Sequence, residues 1–173
     1  PRGPAAFLVQ DMNVFSLVGI DFQESLVKMT SEWAGDIGLG DIAEFRHVDS
    51  LKWPFPDGAF DAVFSKECLF HADDALFEEM FRVLKPGGQI IIADIFGTDQ
   101  ARTPAFSSWL ESSAYAKVSL SLGCIVDACI LSGFTHMEVE DRSERFVEIF
   151  REDAERLRGD EGRQLEGDVG TEA

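Results

Sequence analysis

Positive charge is scarce in this 173-residue chain: 15 Lys and Arg stand against 32 Asp and Glu, a formal net charge of −17. That imbalance argues against a nucleic-acid partner, whose phosphates are neutralised by Lys and Arg. It fits an acidic surface, a cationic small ligand or a host with high internal salt. Cysteine is sparse too. Cys68, Cys124 and Cys129 are odd in number and form no CxxC pair, which reads as reduced core thiols in an intracellular, cytoplasmic protein. Cys124 and Cys129 fall on different faces of a helix, with no His or third Cys close in sequence, so no metal site is expected there. No apolar run reaches the ~18–20 residues of a membrane span. The opening PRGPAAF is neither a basic n-region nor a long apolar segment, so no signal peptide is read. An initiator Met is also missing, and the chain is expected to be a piece of something longer.

What is present suits one globular domain with a real core: 45% of residues are hydrophobic and 27% charged. Residues 4–11 read as the last turns of a helix. A short buried strand over 14–20 ends at Asp21, and apolar residues at Leu26, Val27, Met29 and Trp33 predict a one-sided helix over 22–34. A weaker strand over 42–48 is followed by Asp49. Pro54, Pro56 and Asp57-Gly58 then stop regular structure. The stretch 53–94 is the centre of the chain. It holds a strand at FDAVFS, a helix over 75–84 with Leu76, Phe77, Met80, Phe81 and Leu84 on one side, a stop at Lys85-Pro86-Gly87-Gly88, and a strand over 89–94. Three consecutive isoleucines, Ile90, Ile91 and Ile92, predict burial on both faces.

Further helices are expected over 103–115, 125–132 (capped by Gly133) and 144–158, and a half-exposed strand over 135–140. The Gly-rich, acidic tail 159–173 reads as disordered. Strands alternating with helices imply an α/β fold, a mostly parallel sheet with helices on both faces. No internal repeat is present.

In such sheets ligands sit beyond the carboxyl ends of the strands. Asp21 is placed there either to accept from two ribose hydroxyls or to cap the following helix. Asp49-Ser50, after the next strand, reads as a turn, with an adenine contact as the alternative. Glu67 and His71 share one face if a helix opens after FDAVFS. A carboxylate and an imidazole there are suited to positioning a nucleophile and taking its proton, although such a pair on a helix is also a common surface feature.

GID at 19–21, Asp49, WPFPDGAFDAVFS and above all RVLKPGG at 82–88 resemble the class I S-adenosylmethionine-dependent methyltransferases that act on small molecules, the methyltransferase type 11 domain. The resemblance covers roughly 3–141. Ser65-x-Glu67-x-x-x-His71 is similar to an acidic-x-x-x-His element of the phosphoethanolamine, sterol, tocopherol and sarcosine/dimethylglycine enzymes. The segment from Gly133-Phe134 into the last helix looks most like the sarcosine/dimethylglycine N-methyltransferases of betaine synthesis.

The resemblance implies a Rossmann-like fold, S-adenosylmethionine as cofactor and methyl transfer to a small molecule, an amine such as sarcosine or dimethylglycine. It further implies that Asp21 binds ribose, Phe22 packs on adenine, Asp49 and Ser50 hold the adenine edge, Ser65 contacts the methionine part through its backbone, and Glu67 and His71 face the acceptor. One departure stands out. The family begins with a strand and a loop, acidic-x-Gly-x-Gly, and neither is in this chain. The first, central strand and the last strand of the family fold are expected to be missing. Residues 1–158 then form a partial domain, and a non-catalytic binding or regulatory fragment is the alternative.

Overall fold

In the computed structural model, the structure describes residues 3–48, 52–69, 74–97, 103–112 and 121–158. Two βα-β units organise them. In the first, β1 (Leu17–Asp21) leads through α2 (Glu24–Asp36) to β2 (Ala43–His47); in the second, β3 (Phe60–Lys66) leads through α3 (Asp74–Val83) to β4 (Leu84–Ala93). β1 pairs with β2 and β3 with β4, both parallel, as helical crossovers allow. β1 and β3 are not hydrogen-bonded to one another, so the pairs remain two separate two-stranded sheets. The strands have not closed up across the expected central gap.

Each unit has its own apolar cluster. α1 (Pro4–Gln10) and α2 bring Ala6, Val9 and Ala34 against Leu39 and Ala43, with Leu17 and Phe45 beside them. Gly19 lies opposite Phe45 in the ladder, and a Cβ on Gly19 would come 2.5 Å from the Phe45 ring. Glycine is therefore required for that ring to lie across β1. The larger cluster gathers Leu76, Phe77, Met80 and Val83 of α3 and Ile125, Ala128 and Cys129 of α5 (Leu122–Ser132). Their three-and-four spacing puts them on one helical stripe each. Ile20, Val63, Ile90 and Ile92 pack on this cluster, so the two faces of β1 serve different clusters: Leu17 the first and Ile20, an odd number of residues along, the second.

The Ser121 hydroxyl accepts from Cys124 N at the start of α5, and Gly133 ends the helix at φ 112°, as its sequence position predicts. Further along, α4 (Pro104–Ser112) and α6 (Ser143–Arg158) also form where helices are expected. The chain divides into two compact units, Pro1–Thr135 and His136–Ala173. The second contains α6, whose described residues include none that is buried. The tail 159–173 lies outside the described residues.

Four expectations need correction. Residues 135–140 alternate like a strand but form none, because no described strand pairs with them. Lys85–Gly88 does not lie between helix and strand; β4 begins at Leu84, opposite Phe60, and absorbs the segment in a register irregularity with Gly87 at φ 80°. The three isoleucines are covered on one face only, since Ile91 is 47% exposed while Ile90 and Ile92 meet the cluster. Of the three free thiols, only Cys129 is buried.

The WPFPDG and RVLKPGG motifs meet through one side chain. Arg82 donates to both oxygens of the buried Glu79 (2.6 and 2.8 Å), to Asp57 Oδ1 (2.7 Å), and to the Phe55 and Trp53 carbonyls (2.8 and 3.3 Å). Trp53 N donates to Glu79 Oε1 (2.6 Å), and Gly58 N to the Arg82 carbonyl (3.0 Å). Lys85 Nζ grips both oxygens of Asp61. These motifs therefore pin the 53–58 loop to α3. They form scaffold, set back from the carboxyl ends of the strands.

Candidate active site

β1 ends at Asp21, which is half-buried. Its Oδ1 accepts from Gln23 N (2.8 Å), while its backbone carbonyl accepts from Val48 N (3.1 Å). Gln23, not Asp21, is the residue that precedes α2, and no side chain caps that helix. The carboxylate therefore holds a short turn and is not a helix cap. Phe22 sits at the tip of that turn with 57% of its surface exposed. His47 ends β2 opposite Asp21, and its Nε2 lies 2.9 Å from the Phe22 carbonyl. A carbonyl only accepts, so Nε2 carries the proton in this contact.

β3 ends differently from the expected strand-to-helix passage. Glu67 has φ 53°, a left-handed conformation uncommon for a side-chain-bearing residue. No helix runs through it, so helical spacing no longer puts Glu67 and His71 on one face. The turn is held from β4: Glu67 N donates to the Ala93 carbonyl (2.9 Å), Leu69 N to Asp94 Oδ2 (3.0 Å) and Ile95 N to Asp94 Oδ1 (2.8 Å). Two parallel strands thus lock their exits together, and that lock forces the chain at Glu67 out of helical geometry. The Glu67 carboxylate pairs with Lys66 Nζ at 2.8 Å.

Cys68 marks where these ends meet. Desolvation pushes its thiol upward, and the nearby charges of Asp94, Asp21 and Glu67 push the same way, against the lowering effect of its bond to the Lys66 carbonyl. Three carboxylates from three strand exits therefore act on one point. Burial above all, with these charges added, holds the thiol above its ordinary range, so Cys68 is a poor nucleophile. Ser65, paired with Ile92, is 6% exposed, and its Oγ has no partner.

Asp21 and Phe22 thus stand at the end of β1, and Ser65 and Glu67 at the end of β3, the two strands belonging to separate sheets. Asp49, Ser50 and His71 lie outside the described residues. Asp94 and His47 were not singled out by sequence reasoning. Asp94 carried a usable signal, an acidic residue directly after a strand like Asp21 and Asp49. His47 had none, because its partner is a backbone carbonyl 25 residues away.

A family profile described as a methyltransferase domain matches residues 3–92. The chain belongs to the methyltransferase domain family. This methyltransferase domain is 30% identical over 145 residues to phosphoethanolamine N-methyltransferase 1 of Arabidopsis thaliana, a match covering 82% of the chain and 28% of that relative. It therefore spans under a third of the relative's length. In fold it is similar to Haemonchus contortus phosphoethanolamine N-methyltransferase 2 in complex with S-adenosyl-L-methionine, at TM-score 0.81 and 24% identity, over 93% of this chain and 37% of the other. A Galdieria sulphuraria protein described as a sarcosine dimethylglycine methyltransferase aligns at TM-score 0.66 and 25% identity, over 78% and 51% of the two chains. The α/β, Rossmann-like class read from the sequence holds. The narrower likeness to sarcosine enzymes is not singled out, because phosphoethanolamine enzymes stand among both the relatives and the solved structures.

Proposed function

We propose that this domain binds S-adenosylmethionine and directs methyl transfer to a small amine. The observation that carries the reading is the placement of three carboxylates, Asp21, Glu67 and Asp94, at the carboxyl ends of β1, β3 and β4. The cofactor supplies a sulfonium-activated methyl group, so the protein's part is alignment and desolvation. Asp21 has one carboxylate oxygen engaged by Gln23 N; the other suits a pair of ribose hydroxyls. Beside it, the exposed ring of Phe22 suits the adenine face. Ser65, buried at the end of β3, would contact the methionine part through its backbone, and Asp49 and Ser50, which follow β2 in sequence, would hold the adenine edge.

On the acceptor side, Glu67 attracts a cationic amine and holds its nitrogen, with His71 as the companion base. The Lys66 bond to Glu67 is exposed, and such pairs contribute only about 0–1 kcal/mol, so an arriving ammonium displaces it readily. The acidic mouth and the net charge of −17 both favour a cation. The amine class covers phosphoethanolamine-like acceptors as well as sarcosine and dimethylglycine. The free thiols support a cytoplasmic setting.

A second reading is a non-catalytic methyltransferase-like binding or regulatory fragment. The open boundary between β1 and β3 favours it, since no described backbone crosses there to approach the cofactor. Calorimetry separates the two. Micromolar binding of S-adenosylmethionine to the 173-residue chain supports the first, and no heat at millimolar ligand refutes catalysis by this chain alone.

A further inference from the structure

We propose that Lys66 is a specificity-determining residue that selects amines carrying an anionic group, a phosphate or a carboxylate, over simple ammonium cations; the inference rests on the function proposed above. Lys66 is the last residue of β3, and Glu67 follows it. In an extended strand successive side chains point to opposite faces, so an ammonium and a carboxylate on adjacent residues are turned apart. Here they meet: Lys66 Nζ donates to Glu67 Oε1 at 2.8 Å. The left-handed backbone at Glu67, φ 53°, takes that residue out of the strand's alternation, and the Ala93 carbonyl holds its amide at 2.9 Å. The turn that ends β3 therefore also builds the pair.

Charge at these strand ends is one-sided. Asp21, Glu67 and Asp94 end or directly follow β1, β3 and β4, and among the described residues in such positions Lys66 is the only Lys or Arg. Asp21 accepts from Gln23 N, and Asp94 from Leu69 N and Ile95 N. Among the described residues the Glu67 carboxylate is held by Lys66 alone. A simple ammonium that binds Glu67 must take it from Lys66 and leave the lysine without a counter-charge. An amine with an anionic group brings the replacement. Its nitrogen goes to Glu67 and its phosphate or carboxylate to Lys66, so one ion pair is exchanged for two. The Lys66 side chain is 47% exposed on a flexible four-carbon stem, which leaves Nζ free to follow the ligand.

The test titrates two matched pairs, phosphoethanolamine against ethanolamine and dimethylglycine against trimethylamine, into the 173-residue chain, read by the carbon-13 signal of the Glu67 carboxylate. Lys66→Met removes the charge and keeps a long stem; Lys66→Arg keeps the charge. In Lys66→Met the simple amines should bind about two- to fivefold more tightly, as release from an exposed ion pair allows. The anion-bearing amines should bind about three- to tenfold more weakly, as loss of one exposed charge-assisted bond implies. Lys66→Arg should return both to within about twofold of wild type, and melting temperatures should stay within a few degrees throughout. Opposite shifts in the phosphoethanolamine pair alone make the anion a phosphate, and in the dimethylglycine pair alone a carboxylate. A shift of the same sign in both classes, or none, overturns the proposal. Calorimetry with S-adenosylmethionine judges the functional reading separately. Cofactor binding with unchanged amine selectivity in Lys66→Met removes the role of Lys66 and leaves that reading. Opposite shifts without cofactor binding keep Lys66 as the selecting residue and remove the reading, and no binding of any of these ligands removes both.

Discussion

Replacing Arg82 by Ala removes five hydrogen bonds at once, and the structure says which of them matter. The bond to Asp57 reaches a side chain that is 83% exposed, and surface pairs of that kind contribute about 0–1 kcal/mol. The two bonds to Glu79 are different, because Glu79 is 8% exposed and, among the described residues, would keep only the Trp53 N–H. Stranding one member of a fully buried pair costs ~3–5 kcal/mol. The Arg82 side chain is 30% exposed, so water will partly replace it, and the two arms together come to roughly 2–4 kcal/mol. For a chain of this length, each kcal/mol moves the melting temperature by about 2–4 °C, so Arg82→Ala should melt roughly 5–15 °C lower at pH 7 by calorimetry. Asp57→Asn should fall by no more than about 3 °C. The double change Glu79→Leu with Arg82→Met should recover most of the loss, because no buried charge is then left unpaired.

Acid provides a second check on the same pair. The Arg82 guanidinium holds the Glu79 carboxyl below the ordinary carboxylate value of 4.5, and burial opposes this more weakly. A carboxylate whose folded pKa is depressed contributes stability that is fully present above its unfolded pKa. That stability is lost as pH falls through the folded pKa. The gap between wild type and Arg82→Ala should therefore narrow on acidification below the usual carboxylate range. A gap unchanged at low pH, or a drop of under about 2 °C at pH 7, would refute the claim that this pair pins the 53–58 loop.

Asp21→Asn keeps the oxygen that accepts from Gln23 N and loses the charge; it should weaken S-adenosylmethionine binding roughly tenfold or more in calorimetry, as loss of charge-assisted bonds implies, while unaltered affinity would leave Asp21 with a turn role only. Gly19→Ala brings a methyl group 2.5 Å from the Phe45 ring and should destabilise by about 1–3 kcal/mol in urea unfolding, with Phe45→Leu in the same chain restoring part of the loss; no change in the midpoint would contradict the packing. Glu67→Ala, in any form of the protein that turns over, should lower kcat more than cofactor affinity, and equal loss of both would remove Glu67 from the acceptor side.

Much of the chain can be read before it folds. The helix over 75–84 is legible because a helical stripe repeats over a few residues, and Leu76, Phe77 and Met80 are buried as expected; Val83, fully buried, was not read into the stripe, Phe81 is 43% exposed, and Leu84 begins β4. Gly133 at the end of α5 is legible because left-handed φ favours glycine. The alternation at 135–140 misled because a strand is defined by its neighbour, and no described strand pairs with it. The isoleucine run misled for a related reason: burial of Ile91 depends on a layer that the described residues do not provide. The family pattern was legible in WPFPDG and RVLKPGG. Yet the structure gives that pattern to the Arg82–Glu79 scaffold, so the most recognisable residues are not the ones at the strand exits.

By itself the sequence determined the order of elements from α1 to α5, the α/β class and the family, because periodicity, turn residues and motif spacing are properties of neighbours along the chain. It also placed Asp21 and Glu67 after their strands. Only the tertiary structure decided that Asp94 ties the β3 exit to that of β4, that Glu67 leaves β3 in a left-handed turn, and that His47 meets the Phe22 carbonyl. Each of these depends on the register between parallel strands, which brings residues some 25 positions apart within hydrogen-bonding distance. No local pattern encodes that distance; it follows from how the two strands of each βα-β unit pair.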